Sequence, residues 1–179
     1  MADFISERDD AVPQEPVEVV DRRNRPLAVI PAAEARRQLL PHRRAVLLLY
    51  GGTGRMLLAK RLKSSQYYAD RWDFPASGPV LAGESSETAI LRLARERYYI
   101  PGLRPILQRT VPATHLTGYS FLYVYSAVVR NDPPRMEELV GPRMFFTPGD
   151  LKYLAEHNRD ALYPMVSWFL EQKWLFSRT

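Results

Sequence analysis

The chain contains no cysteine. This absence excludes disulfides, thiol catalysis and thiolate metal sites, and it favours a reducing, cytoplasmic environment. No run of apolar residues reaches the length of about 18 that spans a bilayer, so we expect no association with the membrane interior. The first ten residues, MADFISERDD, are acidic and lack an apolar segment, which predicts that they are not a signal peptide.

Long runs of one charge are also missing. The chain has 25 lysines and arginines against 20 acidic residues, a net charge of +5, which permits an anionic partner. The basic residues stand in groups of two or three, and no nucleic-acid recognition motif accompanies them. These basic residues are interpreted first as solvated surface, and the alternative is a positive field that attracts a phosphorylated ligand. Nucleic acid is not expected; salt-dependent binding to an oligonucleotide would indicate the opposite.

A length of 179 residues fits one domain with a buried core. We expect residues 1–14 to form a flexible arm and residues 15–179 to form the domain. The glycine-rich segment 51–54 lacks the lysine and the following helix of a phosphate-binding loop, so it predicts a hairpin turn. The hydrophobic pattern predicts strands at 17–20, 27–30, 45–50, 56–61, within 110–129 and at 145–146, an aromatic loop at 64–75, and helices at 32–40, 84–98, 148–157 and 162–176.

The segment 78–100, GPVLAGESSETAILRLARERYYI, says most about function. It has glycine at 78, glutamate at 84 and 96, arginine at 92 and an aliphatic residue at 100. This spacing resembles the Nudix box, G-x5-E-x7-R-E-U-x-E-E-x-G-U, where U is aliphatic. Leu93 and Arg97 stand where the box has carboxylates, and Tyr99 stands where it has glycine. The resemblance is therefore to a Nudix box that is degenerate.

Features outside the box resemble the Nudix proteins related to isopentenyl-diphosphate isomerase. Residues 18–41 resemble the opening VDxxN and helix of that subgroup, His42-Arg43-Arg44-Ala45 resembles its first central strand, and Thr147-Pro148 resembles the start of its terminal helix. The resemblance implies an α+β Nudix fold. In this fold a central mixed β-sheet lies between helices as an α/β/α sandwich, with an N-terminal β-hairpin and C-terminal helices.

The isomerase reaction itself is not expected. The segment that matches the isomerase C-G-H-P has Ala76 in place of the cysteine and Gly78 in place of the histidine. No glutamate lies between Glu96 and Glu137 to replace the one that the isomerase carries on a later strand. The acid–base chemistry of isomerisation therefore has no evident carrier.

The Nudix resemblance implies hydrolysis of a phosphoanhydride, in a nucleoside-diphosphate-linked or related compound, by a magnesium-activated water. Magnesium prefers oxygen ligands, and positions 93, 96 and 97 share one region of a helix surface. Glu96 is the carboxylate that remains there, Glu84 is a second candidate ligand, and Arg97 would oppose the ion. Two unit charges about 4 Å apart interact by about 4 kcal/mol at an effective dielectric of 20.

We therefore expect magnesium to be weakly bound or absent, and catalysis to be weak, altered or absent. The alternative is an inactive Nudix-fold protein with a ligand-binding or regulatory role. Arg92 and Glu96 are the candidate catalytic residues, and their i, i+4 spacing predicts an ion pair, which could also serve only to brace the helix. Arg97 is a candidate substrate-binding residue, although it could instead pair with Glu84, Glu87 or Glu96. The other candidates for substrate binding are aromatic residues, which could stack on a base or anchor their loop on the core: Tyr67, Tyr68, Trp72 and Phe74.

Several other residues have expected roles. Leu93 and Tyr99 are predicted to be packing residues, and the helix is predicted to end through Ile100-Pro101-Gly102, because tyrosine adopts a positive φ only at a cost. His42 is the histidine best placed for a metal, although a structural role is favoured. Glu137 and Glu138 are candidates for a late catalytic glutamate. The apolar stripe at 168–176 predicts core packing or a homodimer interface.

Overall fold

The computed structural model describes residues 15–65, 68–131, 133 and 141–176. Tyr67, Glu137, Glu138 and the predicted arm at 1–14 lie outside these residues. In the described part of the chain, no helix is both long and apolar enough to cross a membrane. The elements are β1 (Pro16–Val20), β2 (Pro26–Pro31), α1 (Ala32–Arg37), β3 (His42–Gly51), β4 (Met56–Lys60), β5 (Trp72–Asp73), β6 (Ala76–Pro79), α2 (Ser86–Arg97), β7 (Ile106–Val111), β8 (Ser120–Val129), β9 (Arg143–Phe146), α3 (Pro148–His157) and α4 (Pro164–Glu171), with short 3-10 helices at His115–Thr117 and Arg159–Ala161.

A mixed β-sheet with the strand order β5-β4-β3-β8-β7 forms the centre of the molecule. β3 pairs in parallel with β8 along its whole length, from His42↔Ser120 to Gly51↔Val129. On its other side β3 pairs antiparallel with β6 through residues 44–47 and with β4 through residues 49 and 50. The apolar run of β3 is buried, as is typical of a central strand in a sheet that is covered on both faces.

The side chains of β3 alternate between two cores. Val46 and Leu48 pack on one face against residues of α3 and α4. Ala45 and Leu47 pack on the other face against Ile90 and its neighbours in α2. The sheet therefore lies between helices, which confirms the predicted α/β/α arrangement and places the box helix on one face.

The β1–β2 hairpin forms a separate two-stranded sheet that is fixed to the central one by polar contacts. Asn24 at its turn has φ 62, a conformation that asparagine tolerates better than most residues. Its side-chain oxygen accepts from Arg43 Nε at 2.8 Å and its amide donates to Tyr123 Oη at 2.7 Å. Arg43 also pairs with Glu18 of β1. The hairpin is thereby held against β3 and β8.

Two helices end earlier than the hydrophobic pattern predicts. α1 stops at Arg37 because Leu39 has φ 55 and the chain reverses; the Leu40 amide then donates to the Ala35 carbonyl at 2.8 Å. α4 stops at Glu171 in the same way, with Lys173 at φ 58. This reversal normally uses glycine, so its sequence signal is missing at both ends.

Replacing Leu39 with glycine is expected to stabilise the protein by about 0.5 kcal/mol. A side chain in the left-handed region destabilises the folded state by roughly 1–2 kcal/mol. Glycine offsets about 0.5–1 kcal/mol of that gain, because its freedom stabilises the unfolded chain. Leu39 is exposed, so its removal loses little packing. Urea unfolding measures the difference. The matched control is Ala33→Gly within the same helix, which should cost up to about 1 kcal/mol. A loss of stability in Leu39→Gly as large as in the control would contradict this account.

Candidate functional site

The box helix α2 starts at a defined cap and lies flat on the sheet. Ser85 is the N-cap, and its hydroxyl accepts from the Thr88 amide at 3.0 Å, a common helix start. Ile90, Leu93 and Ala94, at i, i+3 and i+4, are buried against the sheet. The box residues of this helix therefore fall on two sides. Arg92 and Glu96 lie on the outer side, whereas Leu93 and Arg97 are buried.

Arg92 is the centre of the outer cluster. Its Nε and Nη2 donate to the two carboxylate oxygens of Glu84 at 2.9 and 3.0 Å, and its Nη1 donates to Glu96 Oε1 at 3.2 Å. The predicted Arg92–Glu96 ion pair is confirmed, but Glu84 is the closer, two-pronged partner. Partial burial alone would lower the pKa of the Arg92 guanidinium; the hydrogen bonds and charges of Glu84 and then Glu96 outweigh burial and raise this pKa above its ordinary value.

The two glutamates differ in what they offer a ligand. Glu84 Oε2 also accepts from the Leu81 amide at 2.9 Å, so both of its oxygens are bound within the protein. Its side chain is 11% exposed, whereas that of Glu96 is 47% exposed. Glu84 therefore braces the turn before α2, and Glu96 presents a carboxylate at the surface.

Arg97 is buried, with 7% of its surface exposed. Its Nη1 donates to the Pro75 carbonyl at 3.2 Å and its Nη2 to the Ser77 carbonyl at 3.0 Å. The sequence left open a pair with Glu84, Glu87 or Glu96; the hydrogen bonds described for Arg97 go to these two backbone carbonyls. A role of Arg97 in substrate binding stays a prediction; the described contacts of its guanidinium are with the protein backbone.

Leu93 packs where the box would have a carboxylate. It is 4% exposed, and a Cβ added to Gly78 would lie 2.6 Å from its Cδ2, so the predicted packing role is confirmed. Tyr99 was also expected to pack, and this was wrong, since it is 71% exposed. The helix does exit through Ile100-Pro101-Gly102: Tyr98 is already extended, and the positive φ falls on Gly102 at 67°.

The aromatic residues of the loop at 64–75 anchor it. Phe74 is 2% exposed and packs in the core, which favours the anchoring role; stacking on a ligand stays a prediction. The Trp72 ring meets Phe146 edge-on at 4.9 Å and has Lys60 5.5 Å from its centroid. Tyr68 has Arg71 4.9 Å from its ring centroid. The short strands β5 and β6, which the sequence pattern did not predict, hold this segment in the sheet.

His42 is 1% exposed. Its Nδ1 lies 2.9 Å from the Leu40 carbonyl and its Nε2 lies 3.3 Å from the Ser120 hydroxyl. Both ring nitrogens therefore have partners within the fold, at the first register pair of β3 and β8. This supports the structural role that was favoured for His42.

The described residues do not fit a family-type magnesium site. Among residues 15–65, 68–131, 133 and 141–176, no group of three or more histidine, aspartate or glutamate side chains is placed to hold a metal ion. Glu84 is bound by Arg92, Leu93 is apolar and Arg97 brings a cation. Glu96 is left as one partly exposed carboxylate, which is a weak donor set for a cation that prefers several oxygens.

Comparisons with known proteins agree with this geometry at the level of the family. The NUDIX domain family matches residues 40–169. An uncharacterised Nudix hydrolase of Yersinia pestis is 30% identical over 97 residues, which are 54% of this chain and 53% of that protein. Another from Pseudomonas aeruginosa is 38% identical over 65 residues, which are 36% of this chain and 38% of that protein. The chain thus spans about half the length of the first of these relatives and less of the second.

Solved structures show the same fold. A protein of Deinococcus radiodurans matches with a TM-score of 0.74 and 20% identity, covering 88% of this chain and 98% of its own. The MutT protein from Methanosarcina mazei matches with a TM-score of 0.56 and 18% identity, covering 74% of this chain and 94% of its own. The family match extends over most of the chain, and the box helix, the central sheet and the flanking helices are in place. The chain therefore belongs to the Nudix family.

Proposed function

We propose that this chain is a Nudix-type hydrolase of nucleoside-diphosphate-linked or related diphosphate compounds, with weak turnover. The observation that carries the proposal is Glu96: it keeps its register in the box, it is 47% exposed, and Arg92 holds its carboxylate at 3.2 Å. Membership of the Nudix family supports the reaction class.

The proposed chemistry uses the Glu96 carboxylate as a general base. It accepts a proton from an attacking water while the water oxygen bonds to phosphorus and the bridging P–O bond breaks, with the electron pair leaving on the released phosphate. Arg92 restrains the carboxylate during this step. General-base catalysis contributes typically about 10²- to 10⁴-fold. The magnesium of the family would add charge neutralisation, for which the described residues provide poor ligands, and turnover is therefore expected to be weak.

A second candidate is a Nudix-fold protein that binds its ligand without turnover. The observation that favours it is the burial of the residues at two carboxylate positions, with Leu93 4% and Arg97 7% exposed. Whichever candidate holds, we also propose the likeness to the isopentenyl-diphosphate isomerase subgroup, a cytoplasmic location and a homodimer. The contacts of Asn24 with Arg43 and Tyr123 give the VDxxN-like turn a structural role that supports the subgroup likeness.

Two measurements test the hydrolase. Calorimetry of the native protein is expected to find no micromolar magnesium site. A panel of nucleoside diphosphate sugars and dinucleoside polyphosphates, with magnesium or manganese, is expected to show slow hydrolysis of at least one compound. Glu96→Gln should lower that rate at least about tenfold, because it removes the proton acceptor. The control Glu87→Gln makes the same charge change at an exposed position on the same helix and should leave the rate unchanged.

The outcomes separate the two candidates. Binding of panel compounds without hydrolysis above background would favour the ligand-binding protein. Equal rates in Glu96→Gln and Glu87→Gln would remove Glu96 from the reaction. A micromolar magnesium site that disappears in Glu96→Gln would contradict the weak metal binding and would restore the ordinary Nudix mechanism.

A further inference from the structure

A groove of about 550 Å³ lies beyond the C-terminal end of the box helix. Residues 99–103, which follow α2, form one wall, and residues 128–131, at the end of β8, form the other, with Pro133 beside them. We refer to it as the 99–131 groove. None of the residues assigned to the Glu84–Arg92–Glu96 cluster lines it.

The groove exists because two neighbouring strands have different lengths. β8 continues to Val129, whereas β7 begins at Ile106, which pairs with Ser126. Beyond Ser126, β8 pairs in the described residues only with β3. The chain between α2 and β7 turns away through Gly102, and within the described part of the chain no strand pairs with the end of β8 on that side.

The side chains of the groove combine an aromatic surface with a cation. Tyr99 is 71% exposed and Val128 is 69% exposed, so apolar surface faces solvent on both walls. Both residues line one concave site, and ligand sites are commonly lined by apolar and aromatic side chains. Arg130 lies at the same end of β8, and none of the described lining residues is acidic. This charge distribution suits a ligand that is aromatic at one end and anionic at the other.

We propose that the 99–131 groove binds the nucleotide portion of the ligand, with the base stacked on Tyr99 and a phosphate paired with Arg130. The ligand class rests on the proposed function; the position of the site rests on the groove itself. Its volume lies within the range of about 300–1,000 Å³ of small-molecule sites. Tyrosine offers a flat ring to any base, and the guanidinium of arginine matches the geometry of a phosphate.

Three related probes separate the two contacts. ADP carries both the base and the phosphates, adenosine carries the base, and inorganic pyrophosphate carries only the anion. Affinities are measured by calorimetry on the full chain in EDTA, so that no metal takes part. Tyr99→Ala is expected to weaken ADP and adenosine by about 5- to 150-fold, the usual effect of removing one base–aromatic stack, and to leave pyrophosphate unchanged. Arg130→Gln is expected to weaken ADP and pyrophosphate at least about fivefold and to leave adenosine unchanged.

Matched controls lie elsewhere on the surface. Tyr153→Ala removes a tyrosine that is 62% exposed on α3, and Arg22→Gln removes an exposed arginine in the β1–β2 turn. Neither should change the affinity for any probe by more than about twofold. Urea unfolding of each variant checks that the fold is retained, as expected for exposed positions.

Three results would overturn the proposal. The first is no binding of ADP to the native protein at millimolar concentration. The second is an ADP affinity that both groove variants leave unchanged. The third is a native dimer that Tyr99→Ala converts to monomers, which would show that a second copy covers the groove. The assay measures binding without metal, so the two proposals can fail separately. Binding in the groove with no hydrolysis of any compound would contradict the proposed function alone. Hydrolysis together with an unchanged ADP affinity in both variants would contradict the groove proposal alone.

Discussion

Arg97→Glu is expected to destabilise the protein by about 4 kcal/mol. The change removes the two donors that the Pro75 and Ser77 carbonyls accept from, and it places a carboxylate against those carbonyls at a position that is 7% exposed. An unsatisfied buried polar group costs about 1–3 kcal/mol, and breaking a buried charged contact costs about 3–5 kcal/mol. The midpoint of urea unfolding measures the loss.

The matched control for this prediction is Arg95→Glu, which makes the same charge change two residues away on the exposed side of α2. It should cost less than about 1 kcal/mol, mainly through the helix dipole. Equal losses in the two variants would show that Arg97 does not support the fold. The double change Leu93→Glu, Arg97→Glu places glutamate at both of these box positions. We expect this variant to be less stable than Arg97→Glu alone, because it buries a second carboxylate.

Gly78→Ala and Leu93→Ala are expected to be strongly coupled. The alanine Cβ at position 78 would meet Leu93 Cδ2 at 2.6 Å, and such overpacking costs about 1–3 kcal/mol. Leu93→Ala alone leaves a cavity and should cost about 2–5 kcal/mol. In the double variant the shorter side chain at 93 makes room for the new methyl group. The combined loss should therefore be smaller than the sum of the single losses by at least about 1 kcal/mol.

Urea unfolding of the four proteins completes this double-mutant cycle. Gly52→Ala serves as the control, since no atom lies within 4 Å of its added Cβ, and it should show no coupling to Leu93→Ala. Additive losses for positions 78 and 93 would mean that the chain relieves the contact by moving elsewhere.

The order of elements was predictable because it depends on periodicity and on caps. The α3 helix has the predicted bounds, Pro148–His157, and Thr147 and Asp150 form a reciprocal capping box at its start, a pattern that local sequence specifies. The box helix is likewise capped by Ser85. The paired strands β3 and β8 have apolar runs long enough to identify.

The direction of individual box side chains was less predictable. Spacing places Arg92, Glu96 and Arg97 on neighbouring surface, but it does not say which of them faces the sheet. Arg97 points inward because the carbonyls of Pro75, just before β6, and of Ser77, within β6, accept hydrogen bonds from its guanidinium. β6 is a short strand that shows no strand period, with Pro75 before it and Pro79 at its end. Tyr99 is exposed because β7 begins only at Ile106 and does not cover it. The start of β7 depends on its register with β8, which spacing within the box does not specify.

The contacts around β6 also determine whether the fold tolerates carboxylates at positions 93 and 97. A carboxylate at position 93 would face Gly78 and one at position 97 would face two carbonyls, so each single change to glutamate is expected to impair folding, whatever it contributes to catalysis. The segment 75–78 would have to change first, and only then would glutamates at 93 and 97 be tolerated. Leucine at position 93 and arginine at position 97 are therefore expected to be maintained by the stability of the fold, because each single change to glutamate opposes folding.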